Sequence, residues 1–221
     1  MDVSHFVQTI AIYALPVLFA ITLHEAAHGY VARHFGDMTA FAQGRISLNP
    51  ARHIDLVGTI LVPIAILAAS TLAGGAGLLF GWAKPVPVNY SALRRPRQNM
   101  LWVAAAGPGA NLAMAFAWAA IYKAADVLPG SYFTQPLLLM CKAGMEVNVV
   151  LLLLNLLPIL PLDGGRIVAS LLPSRIAWGY AKLEPLGFPI LLVLLFTSVL
   201  GVILAPMVNF SFRVLGTVFR I

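Results

Sequence analysis

Apolar residues run along this chain in blocks too long for the core of a soluble domain. They place spans at about 6–32, 56–73, 100–122, 136–157 and 186–208, each close to the roughly 20 residues that cross a hydrocarbon core of about 30 Å. Between the first two lies Thr39 to Pro50, TAFAQGRISLNP, whose Gly-Arg turn between β-compatible residues predicts a small β-hairpin. Leu72 to Asn89 is rich in glycine and proline. Such backbone survives at membrane depth only where protein or a water cavity satisfies its polar groups, so it predicts a re-entrant segment. Residues 174–184 read as a basic amphipathic stretch, and a short apolar tail follows the last span. The expected fold is an all-α polytopic membrane protein with about five to six transmembrane helices, one domain over residues 1–221.

Composition sharpens this picture. Of 221 residues 60% are hydrophobic and 10% charged, which sets water-soluble enzyme classes aside. The net charge of +6 fits basic loops meeting anionic membrane lipid and does not imply nucleic acid. The single cysteine, Cys141, lies in an apolar run and reads as a buried small hydrophobe. Met1 to His5 lacks the basic start of a cleavable signal peptide, so the first span is expected to be kept.

Charge also orients the chain. Arg33, Arg45, Arg52, Lys84, Arg94, Arg95, Arg97, Arg166, Arg175 and Lys182 fall in three loops, expected on the cytoplasmic side. All three can share a side only if the chain leaves and returns between residues 56 and 93, a stretch with one full helical span. The re-entrant segment supplies the return.

Near the end of the first span stands His24-Glu25-Ala26-Ala27-His28. On a helix the two histidines lie one above the other and can grip one metal ion. Glu25 is rotated away from that ligand face but can still reach a water on the metal and take its proton. HExxH at this spacing is a zinc-hydrolase signature. Chance residues in an apolar helix are the bland alternative, and three ionisable groups within five residues make it costly. A catalytic zinc usually takes three protein ligands, and Asp163 is the candidate third. It follows two helix-stopping prolines, Pro158 and Pro161, and precedes Gly164-Gly165. A turn carboxylate is its plainer reading. The basic-loop topology brings the ends of the first and fourth spans to one side, as that ligand set requires.

Other polar residues carry two readings each. Asn111, just past Gly107-Pro108-Gly109, is either a donor to a developing oxyanion or a helix-packing asparagine. Asn148 and Asn155, seven apart, should point inward as interhelical or ligand-supporting partners. Lys142 and Glu146, at i and i+4, form either a self-neutralising pair facing the bundle interior or a lining for water or substrate. Asp55 can cap the second span, and with His53 it lacks the further ligands of a second metal site.

These residues resemble the site-2 protease family of intramembrane zinc metalloproteases. The likeness covers most of the chain to about Ile167: HEAAHG at 24–29, GRISLNPARHID at 44–55, FGWAKPVPVN at 80–89, GPGAN at 107–111 and NLLPILPLDGGRI at 155–167. It implies a catalytic core over about 6–167, built on the first, third and fourth full spans, followed by a C-terminal span at about 186–208. One Zn2+ would be held by His24, His28 and Asp163, with Glu25 as general base, near the cytoplasmic side of a plasma membrane. The partner would be a transmembrane segment of a protein substrate, cleaved as in regulated intramembrane proteolysis. The core is expected to stand without a PDZ or CBS domain, unlike many members. The alternative class is a proton- or cation-coupled transporter, which predicts two related halves that the sequence does not display. A protein that only binds helices would have no need of Glu25.

Overall fold

The computed structural model describes residues 3–62, 65, 83–128 and 130–221. Its α-helices are α1 Val3–His34, α2 Thr39–Ala42, α3 Pro96–Val127, α4 Thr134–Asn155, α5 Asp163–Leu171, α6 Ser174–Ala181, α7 Glu184–Phe196 and α8 Val199–Phe219. Val7–His34 of α1, together with α3, α4 and α8, are long and apolar enough to cross a membrane. α6 and α7 meet at a bend of 60° and pass the same test as a pair. Among the described residues that makes four spans, or five with the bent pair.

α3 packs along both α1 and α4, and α1 also meets α4. Small residues at the contacts, among them Ala20, Ala26, Ala104, Ala115 and Ala119, are buried and let the backbones approach closely. Leu200, Leu204 and Leu215 of α8 join Val149 and Leu153 of α4 in one apolar cluster. Cys141 lies in the same cluster, fully buried.

The end of α1, the start of α3 and the end of α4 lie at one end of the bundle. Arg94 N–H donates to the Phe35 carbonyl at 3.0 Å and Lys84 N–H to the His53 carbonyl at 2.8 Å. The chain that departs after residue 62 is therefore back by residue 84, the return that the basic loops required. Asp55 caps the second span as expected, accepting from Gly58 N–H at 2.7 Å at the head of the π-helical stretch Leu56–Leu61. Most of the remainder of the 56–73 span, and residues 72–82 of the expected re-entrant segment, lie outside the described residues. Residues 83–89 lie in neither helix nor strand. Arg97, near the start of α3, donates to the carbonyls of Ser170, Leu171 and Leu172. These are end-of-helix carbonyls that α5 cannot satisfy itself.

Three expectations are corrected. No residue of 39–50 lies in a strand, so the β-hairpin is absent. Thr39–Ala42 is a helical turn closed by Gly44 at φ +62°, with Arg45 N–H donating to Ala40 at 2.8 Å and Gly44 N–H to Phe41 at 2.9 Å. That bond pair is a Schellman cap. A Gly-Arg step suits a hairpin or a cap alike, and the cap prevails because it buries Ala40 completely. The expected span at 186–208 is divided: α7 ends at Phe196, Ser198 takes a left-handed conformation at φ 61°, and α8 runs on through the supposed tail to Phe219. Apolar residues continue across the break, so hydrophobicity carries no sign of it. Glu146 accepts a hydrogen bond from Tyr13 at 2.8 Å while Lys142 lies 5.7 Å above the Tyr122 ring, both on exposed positions. The expected inward-facing Lys142–Glu146 pair is not what these contacts describe.

Candidate metal centre

His24 and His28 share the face of α1 that looks onto α3, and both are buried. His24 Nδ1 lies 2.6 Å from Asn111 Oδ1, and His28 Nδ1 lies 2.7 Å from the Val103 carbonyl. The Asn111 amide is oriented by its own donations, to Asn148 Oδ1 at 3.0 Å and the Ala20 carbonyl at 3.3 Å. Asn148 in turn donates to the Gly144 carbonyl at 2.8 Å. Both histidines thus face an acceptor with Nδ1, which must carry the proton, and each Nε2 is left as a lone pair.

Those two lone pairs converge at 3.1 Å. Asp163 Oδ2 completes a triangle, 3.2 Å from His24 Nε2 and 3.3 Å from His28 Nε2. The carboxylate arrives from a separate element: α4 stops at Asn155, the loop 156–162 reverses the chain, and Asp163 opens α5. The three ligand atoms lie within 4.8 Å of one another, all on buried residues. Asp163 Oδ2 has no hydrogen-bond partner although buried. A single proton could serve two of these three electron pairs; a cation serves all three, and two imidazoles with one carboxylate suit a divalent metal with an open position.

Glu25 is partly buried, and its Oε2 accepts from Val86 N–H at 2.8 Å. In Lys84-Pro85-Val86-Pro87, both prolines lack an amide hydrogen, so that donor is the one N–H of the Pro-Val-Pro run. The Lys84 and Pro85 carbonyls accept from Arg45 at 3.0 and 3.2 Å. A cavity of about 160 Å³ opens beside the triad, walled by Glu25, Pro85, Val86, Asn155 and Arg166 among others. Asn155 reaches this wall while donating to the Leu151 carbonyl at 3.0 Å. Asn111 is not part of the wall.

Among the curated proteins, the chain is similar to YwhC of Bacillus subtilis (strain 168), named "Putative zinc metalloprotease YwhC", with 38% identity over 202 residues. The match takes in 88% of this chain and 84% of that protein. The chain belongs to the site-2 protease family. Rip2 of Mycolicibacterium smegmatis, named "Putative zinc metalloprotease Rip2", is 30% identical over 83% of this chain and 66% of its own length. Rip2 of Mycobacterium tuberculosis (strain Erdman) is 30% identical over 76% of this chain and 54% of its own. No family model and no solved structure matches the chain.

Several contributors to this centre escape a reading of the sequence. Gly107 is the position where α3 passes the ligands: a Cβ there would lie 2.4 Å from His28 Nε2 and 2.6 Å from His24 Nε2. The Val103 carbonyl carries no motif. Val86 could have been found, since a lone amide between two prolines is conspicuous once a buried carboxylate needs a donor.

His53 is buried, its Nε2 2.8 Å from the Ser47 carbonyl. Among the described residues it joins no group of metal-binding side chains.

Proposed function

We propose that this chain is an intramembrane zinc metalloendopeptidase that cleaves transmembrane segments of other membrane proteins. The observation that carries the reading is the convergence of His24 Nε2, His28 Nε2 and the partnerless Asp163 Oδ2 on one buried point, in a chain of membrane-spanning helices. The metalloprotease names of its relatives select zinc over the other divalent ions that such a donor set accepts.

When bound, zinc supplies a Lewis acid and makes water a usable nucleophile near neutral pH. His24, His28 and Asp163 hold it. Glu25, at the cavity wall, takes the proton of the attacking water and returns it to the leaving amine; the Val86 N–H keeps its carboxylate turned into the cavity. Asn111 acts through His24, and the Val103 carbonyl through His28, each fixing which nitrogen is the ligand. Both Asn111 donors are already engaged, so its support is to the ligand and not to a developing oxyanion. Asn155 and Arg166 are the polar side chains that reach the cavity beside the triad.

A helical substrate hides its carbonyls in i to i−4 bonds and must unwind to present one. The segment 83–89, in neither helix nor strand, lines the cavity through Pro85, Val86 and Val88 and offers an edge to such an unwound strand. The basic residues gathered at this end favour a site near the cytoplasmic face of a plasma membrane.

The test reconstitutes the protein in liposomes with a single-span substrate and maps the product ends by mass spectrometry. Cuts inside the apolar span, absent with Glu25→Gln, are expected. Cuts confined to soluble flanks, or indifferent to Glu25→Gln, contradict the proposal.

A further inference from the structure

The motifs that carry the family likeness end at Ile167, yet the helices beyond it press on the loop that delivers Asp163. The two histidines ride on α1 and are braced by α3, whereas Asp163 comes from another element, so its distance from them depends on how residues 156–162 are seated. Two of those residues are prolines and cannot pin the loop with an amide hydrogen. Ile159 N–H donates to the Leu157 carbonyl at 2.8 Å, Leu162 N–H to the Ile159 carbonyl at 2.9 Å, and Arg166 of α5 to the Pro161 carbonyl at 3.3 Å; further anchors come from the helices beyond α5. Tyr180 of α6 donates its hydroxyl to the Pro158 carbonyl at 2.9 Å. Gly187 of α7 abuts the Leu160 peptide so closely that an added Cβ would lie 1.5 Å from the carbonyl oxygen. Gly165 of α5 abuts the preceding peptide, where a Cβ would lie 2.5 Å from Leu160 N and 2.6 Å from the Ile159 carbonyl carbon. The two peptides flanking Leu160 are thus in contact with the backbones of α5 and α7, three residues before the carboxylate.

We infer that α6 and α7 belong to the metal centre: Tyr180 and Gly187 are positioning residues that seat the 156–162 loop and thereby hold Asp163 at ligand distance from His24 and His28. This rests on the reading of those three residues as zinc ligands. The lever is short and stiff. Cβ atoms essentially never approach closer than 3.0 Å, so a methyl at Gly187 forces α7 and the Leu160 carbonyl apart by about 1.5 Å, and the loop takes up part of that movement. Metal-ligand distances tolerate about 0.2 Å. The histidine pair, held independently, keeps weaker binding.

The experiment measures zinc affinity of the full chain in detergent by competition with a chromophoric chelator, and records the absorption spectrum of the cobalt-loaded protein. The variants are Gly187→Ala and Tyr180→Phe. Gly179→Ala and Gly201→Ala serve as controls, since an added methyl there meets nothing within 4 Å. Gly187→Ala is expected to weaken zinc by about tenfold to a hundredfold, Tyr180→Phe by about tenfold. Both should shift the cobalt spectrum, and the controls should match wild type. Wild-type affinity and spectrum in folded Gly187→Ala and Tyr180→Phe overturn the inference. Should Gly187→Ala fail to fold, Tyr180→Phe decides alone by the same criterion. An Asp163→Ala protein with wild-type zinc affinity would instead overturn the ligand reading, and this inference with it.

Discussion

Gly107→Ala places one methyl group where α3 passes the ligand atoms. The new carbon would lie 2.4 Å from His28 Nε2 and 2.6 Å from His24 Nε2, against an ordinary contact of about 3.5 Å. Relief requires the imidazoles to retreat by about 1 Å, several times the roughly 0.2 Å that a metal-ligand distance tolerates. Retreat also stretches the bonds at 2.6 Å to Asn111 and 2.7 Å to Val103, each worth about 0.5–1.5 kcal/mol. If the rings hold instead, α3 must shift, and overpacking of this kind costs about 1–3 kcal/mol. Either way zinc should bind at least about tenfold to a hundredfold more weakly, as when a ligand loses its supporting partner. Gly109→Ala, two residues along, is the matched control: its added carbon meets nothing within 4 Å, and the better helix former should add up to about 1 kcal/mol. Zinc per chain by elemental analysis, affinity by chelator competition and thermal unfolding separate the two. Full zinc and wild-type affinity in Gly107→Ala would refute the packing argument.

Asn111→Leu removes the acceptor for His24 and strands Asn148, so zinc affinity should fall by about tenfold to a hundredfold and stability by about 1–3 kcal/mol; chelator competition should show part of the loss restored in Asn111→Asp, which keeps the acceptor. Asp37 lies fully buried beyond α1 and accepts from Thr39 N–H at 2.9 Å and Asn89 N–H at 2.6 Å. Burial alone would raise its pKa, but the bonds from Thr39 and Asn89 outweigh that and hold it below the ordinary value. A carboxyl depressed on folding stabilises the native state above its unfolded pKa, and that contribution is lost as pH falls below about 4. Thermal unfolding of wild type should decline in that window, while Asp37→Asn should start lower and respond less there.

The candidate site residues are legible because they break a pattern. His24, Glu25 and His28 are costly in an apolar helix, and Asp163 stands between proline stops and a glycine pair, so their chemistry shows without coordinates. The elements that depend on three-dimensional neighbours are not. Gly44 closes a helix where a hairpin turn was expected, because the same residue pair satisfies both geometries and only burial of Ala40 chooses. The break at Ser198 lies between apolar segments and leaves no trace in hydrophobicity. Gly107 and Gly109 look alike in the sequence, yet one faces two ligands and the other faces open space. Asn111 carries two readings in the sequence, and the engagement of its amide with Asn148 and Ala20 supports the one in which it positions His24. Tyr180 and Gly187 had no motif, because what they support is a backbone loop twenty or more residues away.

Zinc content, measured beside transmembrane-peptide cleavage for wild type, Glu25→Gln and Asp163→Ala, tests the central claim most directly. The account predicts one zinc per wild-type chain, zinc retained but cleavage lost in Glu25→Gln, and both zinc affinity and cleavage lost in Asp163→Ala. Wild-type protein that binds no zinc, or cleavage that survives Glu25→Gln, would contradict it.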